Sequence, residues 1–164
     1  MMRPARHSGS IAIALTFLLA AVLELLPLPD WLALGRPEWM TLVLLYWVVA
    51  LPHRVGVFVG FGVGLFQDVL LGTVLGQHAV ALALVAYMVL ALHKRLRVFP
   101  PLQQSVVIFL LVGLGSLISY MIQNAVGRVL LPPVWVLLPA LISALIWRPV
   151  FALLRWVRHR FQVR

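Results

Sequence analysis

Val55-Gly56-Val57-Phe58-Val59-Gly60-Phe61-Gly62-Val63-Gly64-Leu65-Phe66-Gln67-Asp68 carries no charge until its last residue and interleaves glycine with bulky apolar side chains. Residues four apart lie on one helix face, so Gly56, Gly60 and Gly64 form two overlapping G-x-x-x-G steps. A face without side chains lets another backbone approach closely, and in lipid packing, not hydrophobicity, drives helix association. The spacing predicts a membrane helix whose smooth face packs inside a bundle, or else seats a partner helix or a second copy of the chain in a homodimer. Asp68 continues the same spacing, with Gly72 and Gly76 beyond it.

Outward from this run the chain repeats its character. Of 164 residues, 63% are hydrophobic and 10% charged, against roughly 45–50% and about 25% in an ordinary soluble domain. A small soluble protein cannot hide that much apolar surface. With about 20 residues needed to cross the hydrocarbon layer, six runs qualify: Ser10–Pro27, Glu38–Leu51, Val55–Leu71, Gln77–Leu92, Leu102–Asn124 and Val134–Leu154. The expected fold is all-α, a polytopic bundle of six transmembrane helices forming a single integral membrane domain over residues 1–164. The first run lacks a small-x-small cleavage site and reads as a retained helix.

The second run is short, and charge decides that it spans. With six spans, Arg3, Arg6, Arg54, Lys94, Arg95, Arg97, Arg155, Arg158, Arg160 and Arg164 share one side, and only Arg36 and Arg128 take the other; Arg148 falls inside the last span. Removing the second span would put Lys94–Arg97 opposite the N-terminus. The positive-inside rule therefore predicts six spans with both termini in the cytoplasm. The net charge of +9 is thereby read as cytoplasmic anchoring on anionic lipids, with no nucleic-acid partner. Arg54, Lys94, Arg95, Arg97, Arg155, Arg158 and Arg160 are the basic anchors.

Ionisable groups within spans are costly and seldom face lipid. At about 1.5 Å per residue, Asp68 sits roughly 20 Å from the basic side, in the outer third, with Glu24 at similar depth. Gln67, Gln77, His78, Gln123 and Asn124 also fall toward that end. The set reads either as a polar pocket open to the outside or as helix caps and inter-helix hydrogen bonds. Glu24, Gln67, Asp68, Gly72, Gly76, Gln77, His78, Gln123 and Asn124 are the candidates for partner or pocket binding. Asp68 is expected to act in function beyond structure, with Arg128 as a candidate ion-pair mate. There is no cysteine, no metal-ligand cluster and no nucleophile–base signature, so neither a catalytic residue, a metal nor a cofactor is expected.

Arg36-Pro37-Glu38-Trp39, Tyr46-Trp47-Val48, Ala50-Leu51-Pro52-His53-Arg54-Val55-Gly56, Gly64–Gly72, Leu75–Ala79 and His93–Pro100 together resemble the MreD rod-shape-determining family of bacteria in its gammaproteobacterial form. The last two spans match more loosely. The resemblance implies a non-enzymatic inner-membrane member of the cell-elongation machinery that binds MreC and acts with MreB, RodA and a class B penicillin-binding protein in lateral peptidoglycan synthesis. It marks the Asp68-x-x-x-Gly72-x-x-x-Gly76 segment as the most recognisable functional stretch. It also implies a fold similar to the S-components of energy-coupling-factor transporters, which keeps a small-molecule-binding transporter subunit as the alternative function.

Overall fold

A computed structural model describes residues 6–128 and 132–163; Arg3 and Arg164 lie outside them. Every regular element among the described residues is a helix, in the order α1 (Arg6–Leu25), α2 (Asp30–Ala33), α3 (Trp39–Ala50), α4 (Val57–Leu71), α5 (Gln77–Val98), α6 (Pro101–Ala125), α7 (Pro133–Val136) and α8 (Leu138–Arg160). α2 and α7 are single turns. The stretches Gln77–Val98, Pro101–Ala125 and Pro133–Arg160 are long and apolar enough to cross a membrane, while Gly9–Leu25, Trp39–Ala50 and Val57–Leu71 are apolar but shorter.

α3 is the axis of the molecule. Eleven of its twelve residues are buried, so it is enclosed by protein on all sides, although a helix apolar all round could also have faced lipid. α1, α5 and α8 pack against it. At about 18 Å it is too short to cross the hydrocarbon layer unaided. Its ends are instead closed by side chains from its neighbours, which is the condition under which non-helical backbone is tolerated at membrane depth. At the N-terminal end the Glu38 amide donates to Ser143 Oγ at 3.0 Å. At the C-terminal end Arg97 Nε and Nη2 donate to the Val49 carbonyl at 2.9 and 2.6 Å, and Nη2 also to that of Ala50 at 3.2 Å. Trp47 Nε1 donates to Thr16 Oγ1 at 2.9 Å, which fixes α1 on α3.

α4 lies at the side and packs chiefly on α5. A Cβ placed on Gly60 would meet the Leu82 carbonyl oxygen at 2.9 Å, and one on Gly64 would meet Ala79 Cα and the His78 carbonyl oxygen at 2.4 Å. The glycine face is therefore filled by α5 of the same chain. Gly56 stands more loosely, with its nearest neighbour Leu90 Cδ1 at 3.5 Å. The opposite face of α4, with Phe58, Phe61, Phe66 and Val69, is exposed.

Several boundaries differ from expectation. α1 starts at Arg6, four residues before Ser10, and ends at Leu25. α5 runs six residues past Leu92, because His93–Arg97 contains no helix breaker and the chain turns only at Pro100-Pro101. The last run opens with the short turn α7 and restarts at Leu138, then continues to Arg160 rather than ending at Leu154. Trp31, Trp135 and Trp156 are exposed near helix ends, where indole favours a membrane interface.

Candidate functional site

The turn between α4 and α5 is built on one carboxylate. α4 ends at Gly72, whose φ of +62° is the left-handed conformation that glycine accepts without strain. The Thr73 amide reaches back to the Asp68 carbonyl at 3.1 Å, a Schellman-type closure. Gly76 starts α5 with φ +96°. The helix thus stops before the four-residue spacing reaches Gly72 and Gly76. Both serve the turn through positive φ and not through a smooth helix face.

This turn brings the first residues of α5 over the Asp68 side chain. Asp68 Oδ2 accepts from the Gly76 amide at 2.8 Å and from the Ala79 amide at 3.4 Å. Oδ1 accepts from the His78 amide at 3.0 Å and from Thr73 Oγ1 at 2.9 Å. His78 Nδ1 lies 2.7 Å from Oδ1. A helix N-terminus leaves its first amides without partners and carries partial positive charge. A carboxylate placed there satisfies the first and balances the second. Asp68 is 1% exposed, so its bonding capacity is spent within its own chain. Among the described residues it is His78, not Arg128, whose side chain lies against the Asp68 carboxylate.

Glu24 and Gln67 form a second buried group, with Gln67 Nε2 donating to Glu24 Oε1 at 2.7 Å. Glu24 Oε2, Gln67 Oε1 and both polar atoms of Gln77 make no hydrogen bond of good geometry within the described residues. Arg36, which the sequence offered only as a loop charge, holds the end of α1: its Nη1 donates to the Glu24 carbonyl and its Nη2 to that of Leu26, the latter at 2.6 Å. Glu38, which the sequence placed at the start of the second run with no role of its own, binds three helices together. It accepts from Thr41 Oγ1 at 2.9 Å and from Ser116 Oγ of α6, and its amide bonds Ser143 of α8. Its position in Arg36-Pro37-Glu38-Trp39 was the available signal, since that segment carried part of the family resemblance.

The remaining sequence candidates separate. Gln123 is half-buried and Asn124 exposed at the end of α6, and neither side chain bonds the Asp68 or Glu24 groups. No cluster of three metal-ligating side chains forms among the described residues. The basic anchors gather at the opposite end. Arg54 Nη2 donates to Ser10 Oγ at 2.9 Å. Arg97, Arg155 and Arg158 line a cavity of about 330 Å³ together with Tyr46, Val49, Ala50, Phe151 and His159. Lys94, Arg95 and Arg160 are exposed at the same helix ends.

Residues 6–157 match the family model described as rod shape-determining protein MreD. The rod shape-determining protein MreD of Haemophilus influenzae is 34% identical over 148 residues, which cover 90% of each chain. No solved structure matches. The match runs from α1 to the last turns of α8 and so includes the Asp68 turn, the Glu38 network and the basic end. The chain is a member of the MreD family of rod shape-determining proteins, a helical membrane protein with a role in cell shape.

Proposed function

We propose that this chain is a multi-pass scaffold of the bacterial inner membrane that binds MreC and couples it to lateral peptidoglycan synthesis. In this reading the chain has six spans and both termini in the cytoplasm, and it works in a wider assembly with MreB, RodA and a class B penicillin-binding protein. The observation that carries the reading is the use made of Asp68. A binding subunit of a transporter presents polar groups to a cavity, whereas here the carboxylate is consumed in capping α5. Such a group stiffens a bundle against which a partner can dock. The Gly60–Gly64 face is occupied by α5, so a partner helix or a second copy would use a lipid-facing surface. The outer face of α4, where Phe58, Phe61 and Phe66 flank Gly62, is the surface we assign to the MreC span.

The test is affinity purification of the tagged chain from native membranes in mild detergent. MreC should co-purify in constant ratio, and Gly62→Trp or Phe61→Ala should lower that ratio at unchanged yield of the chain. Recovery of the chain without MreC, but with a retained small molecule, would replace this reading with the transporter-subunit one.

A further inference from the structure

The cavity at the basic end has two kinds of wall. Tyr46, Val49, Ala50 and Phe151 are apolar or aromatic, while Arg97, Arg155, Arg158 and His159 supply hydrogen-bond donors. Its volume of about 330 Å³ lies at the lower end of the roughly 300–1,000 Å³ of small-molecule sites. The chain holds only four acidic residues, Glu24, Asp30, Glu38 and Asp68. Glu24 and Asp68 lie at the far ends of α1 and α4, and Asp30 and Glu38 in the α1–α3 connection, so no acidic side chain faces these cations.

The arginines are placed but not saturated. A guanidinium has five N–H donors. Arg97 spends three on the Val49 and Ala50 carbonyls, which fixes its plane and leaves those on Nη1. Arg158 Nε makes a long 3.4 Å bond to the Val163 carbonyl, and Arg158 lines the cavity together with Tyr46. Arg155 is exposed. Guanidinium forks suit phosphate oxygens, and the apolar wall suits hydrocarbon next to the phosphate.

We propose that the cavity bounded by Arg97, Arg155, Arg158, Tyr46 and Phe151 binds the phosphate headgroup of an anionic lipid, with the first carbons of its tails against the aromatic wall. On the orientation proposed above, the lipid comes from the cytoplasmic leaflet. The site does not depend on the MreC assignment, since it can be assayed on the purified chain alone.

The chain in detergent is titrated separately with short-chain phosphatidylglycerol, short-chain phosphatidylcholine and inorganic phosphate. Thermal unfolding midpoints are followed, and bound lipid is counted by native mass spectrometry. Phosphatidylglycerol should raise the midpoint saturably with one lipid retained, phosphatidylcholine should not, and inorganic phosphate should bind at least about tenfold more weakly. Arg155→Gln/Arg158→Gln should weaken phosphatidylglycerol about tenfold or more. Arg155→Gln alone, at an exposed position, should weaken it several-fold even if the double variant folds poorly. Lys94→Gln/Arg95→Gln, which removes equal charge outside the cavity, should change it less than about twofold. Equal losses in the two pairs would mean diffuse attraction and overturn the site. Phosphate binding as tightly as phosphatidylglycerol, or no difference between the two lipids, would overturn the lipid assignment.

Discussion

At the residue scale, Asp68 is where charge, hydrogen bonding and chain reversal meet. Asp68→Asn keeps the shape but exchanges one acceptor oxygen for a donor, facing amides that are themselves donors. Hydrogen bonds to a charged group contribute about 1.5–3 kcal/mol each, so a stability loss of about 2–4 kcal/mol is expected, with a lower thermal midpoint in fluorescence-detected size exclusion. Asp68→Leu removes every acceptor and should cost more, appearing as a fall in folded protein in the membrane. Thr73→Val removes the Thr73 Oγ1 bond to Asp68 and a long 3.4 Å contact with His78 Nδ1, leaves the backbone amides on the carboxylate, and should lower the midpoint least. If Asp68→Leu folds as well as the parent while cells lose rod shape, the carboxylate acts on a partner and its cap is incidental.

At the scale of elements, the α4–α5 contact depends on the absence of side chains at two positions. Gly64→Ala sets a methyl group 2.4 Å from backbone atoms of α5, and backbone cannot swing aside as a side-chain tip can. Overpacking of this kind costs about 1–3 kcal/mol, occasionally more. Gly60→Ala, at 2.9 Å from a carbonyl oxygen and 3.0 Å from Ala86 Cβ, should cost less. Gly60→Leu and Gly64→Leu should both prevent a monodisperse fold. Gly62→Ala meets nothing within 4 Å and should leave the midpoint unchanged or slightly raised, since alanine favours the helix. Equal behaviour of Gly62→Ala and Gly64→Ala in thermal unfolding would contradict this packing.

For the whole molecule, the helix ends sort by charge. Arg54 reaches the start of α1, and Arg97 reaches the end of α3 beside Arg155 and Arg158 of α8. Glu24, Glu38 and Asp68 cluster at the other end. An up-and-down bundle with one basic end has a defined orientation by the positive-inside rule. Reporter fusions after Arg97 and at the C-terminus should read cytoplasmic, and fusions near Gly35 and Gly127 periplasmic. A periplasmic signal after Arg97 would mean that α3, short and enclosed, does not cross with its neighbours. Every later element would then be inverted.

The sequence by itself determined the helical membrane class, the family and the gathering of the basic clusters at one end. Each of these is additive: apolar content, motif residues and charge counts do not depend on what touches what. It also located the glycine face of α4, since a spacing of four is a property of one helix. The tertiary structure alone decided what met that face and how the polar residues paired. Gly64 abuts Ala79 and Asp68 caps Gly76 and His78 because the turn at Gly72 folds α5 back on α4. The sequence placed Gly72 and Gly76 beyond the span that ends at Leu71, but a spacing of four registers neither the positive φ that each adopts nor the carboxylate that their turn encloses. Arg36 read as a loop charge and Glu38 as the first residue of a span for a related reason: their partners, Glu24, Ser116 and Ser143, are distant in sequence. Such long-range hydrogen bonds exist only once the helices are assembled around α3.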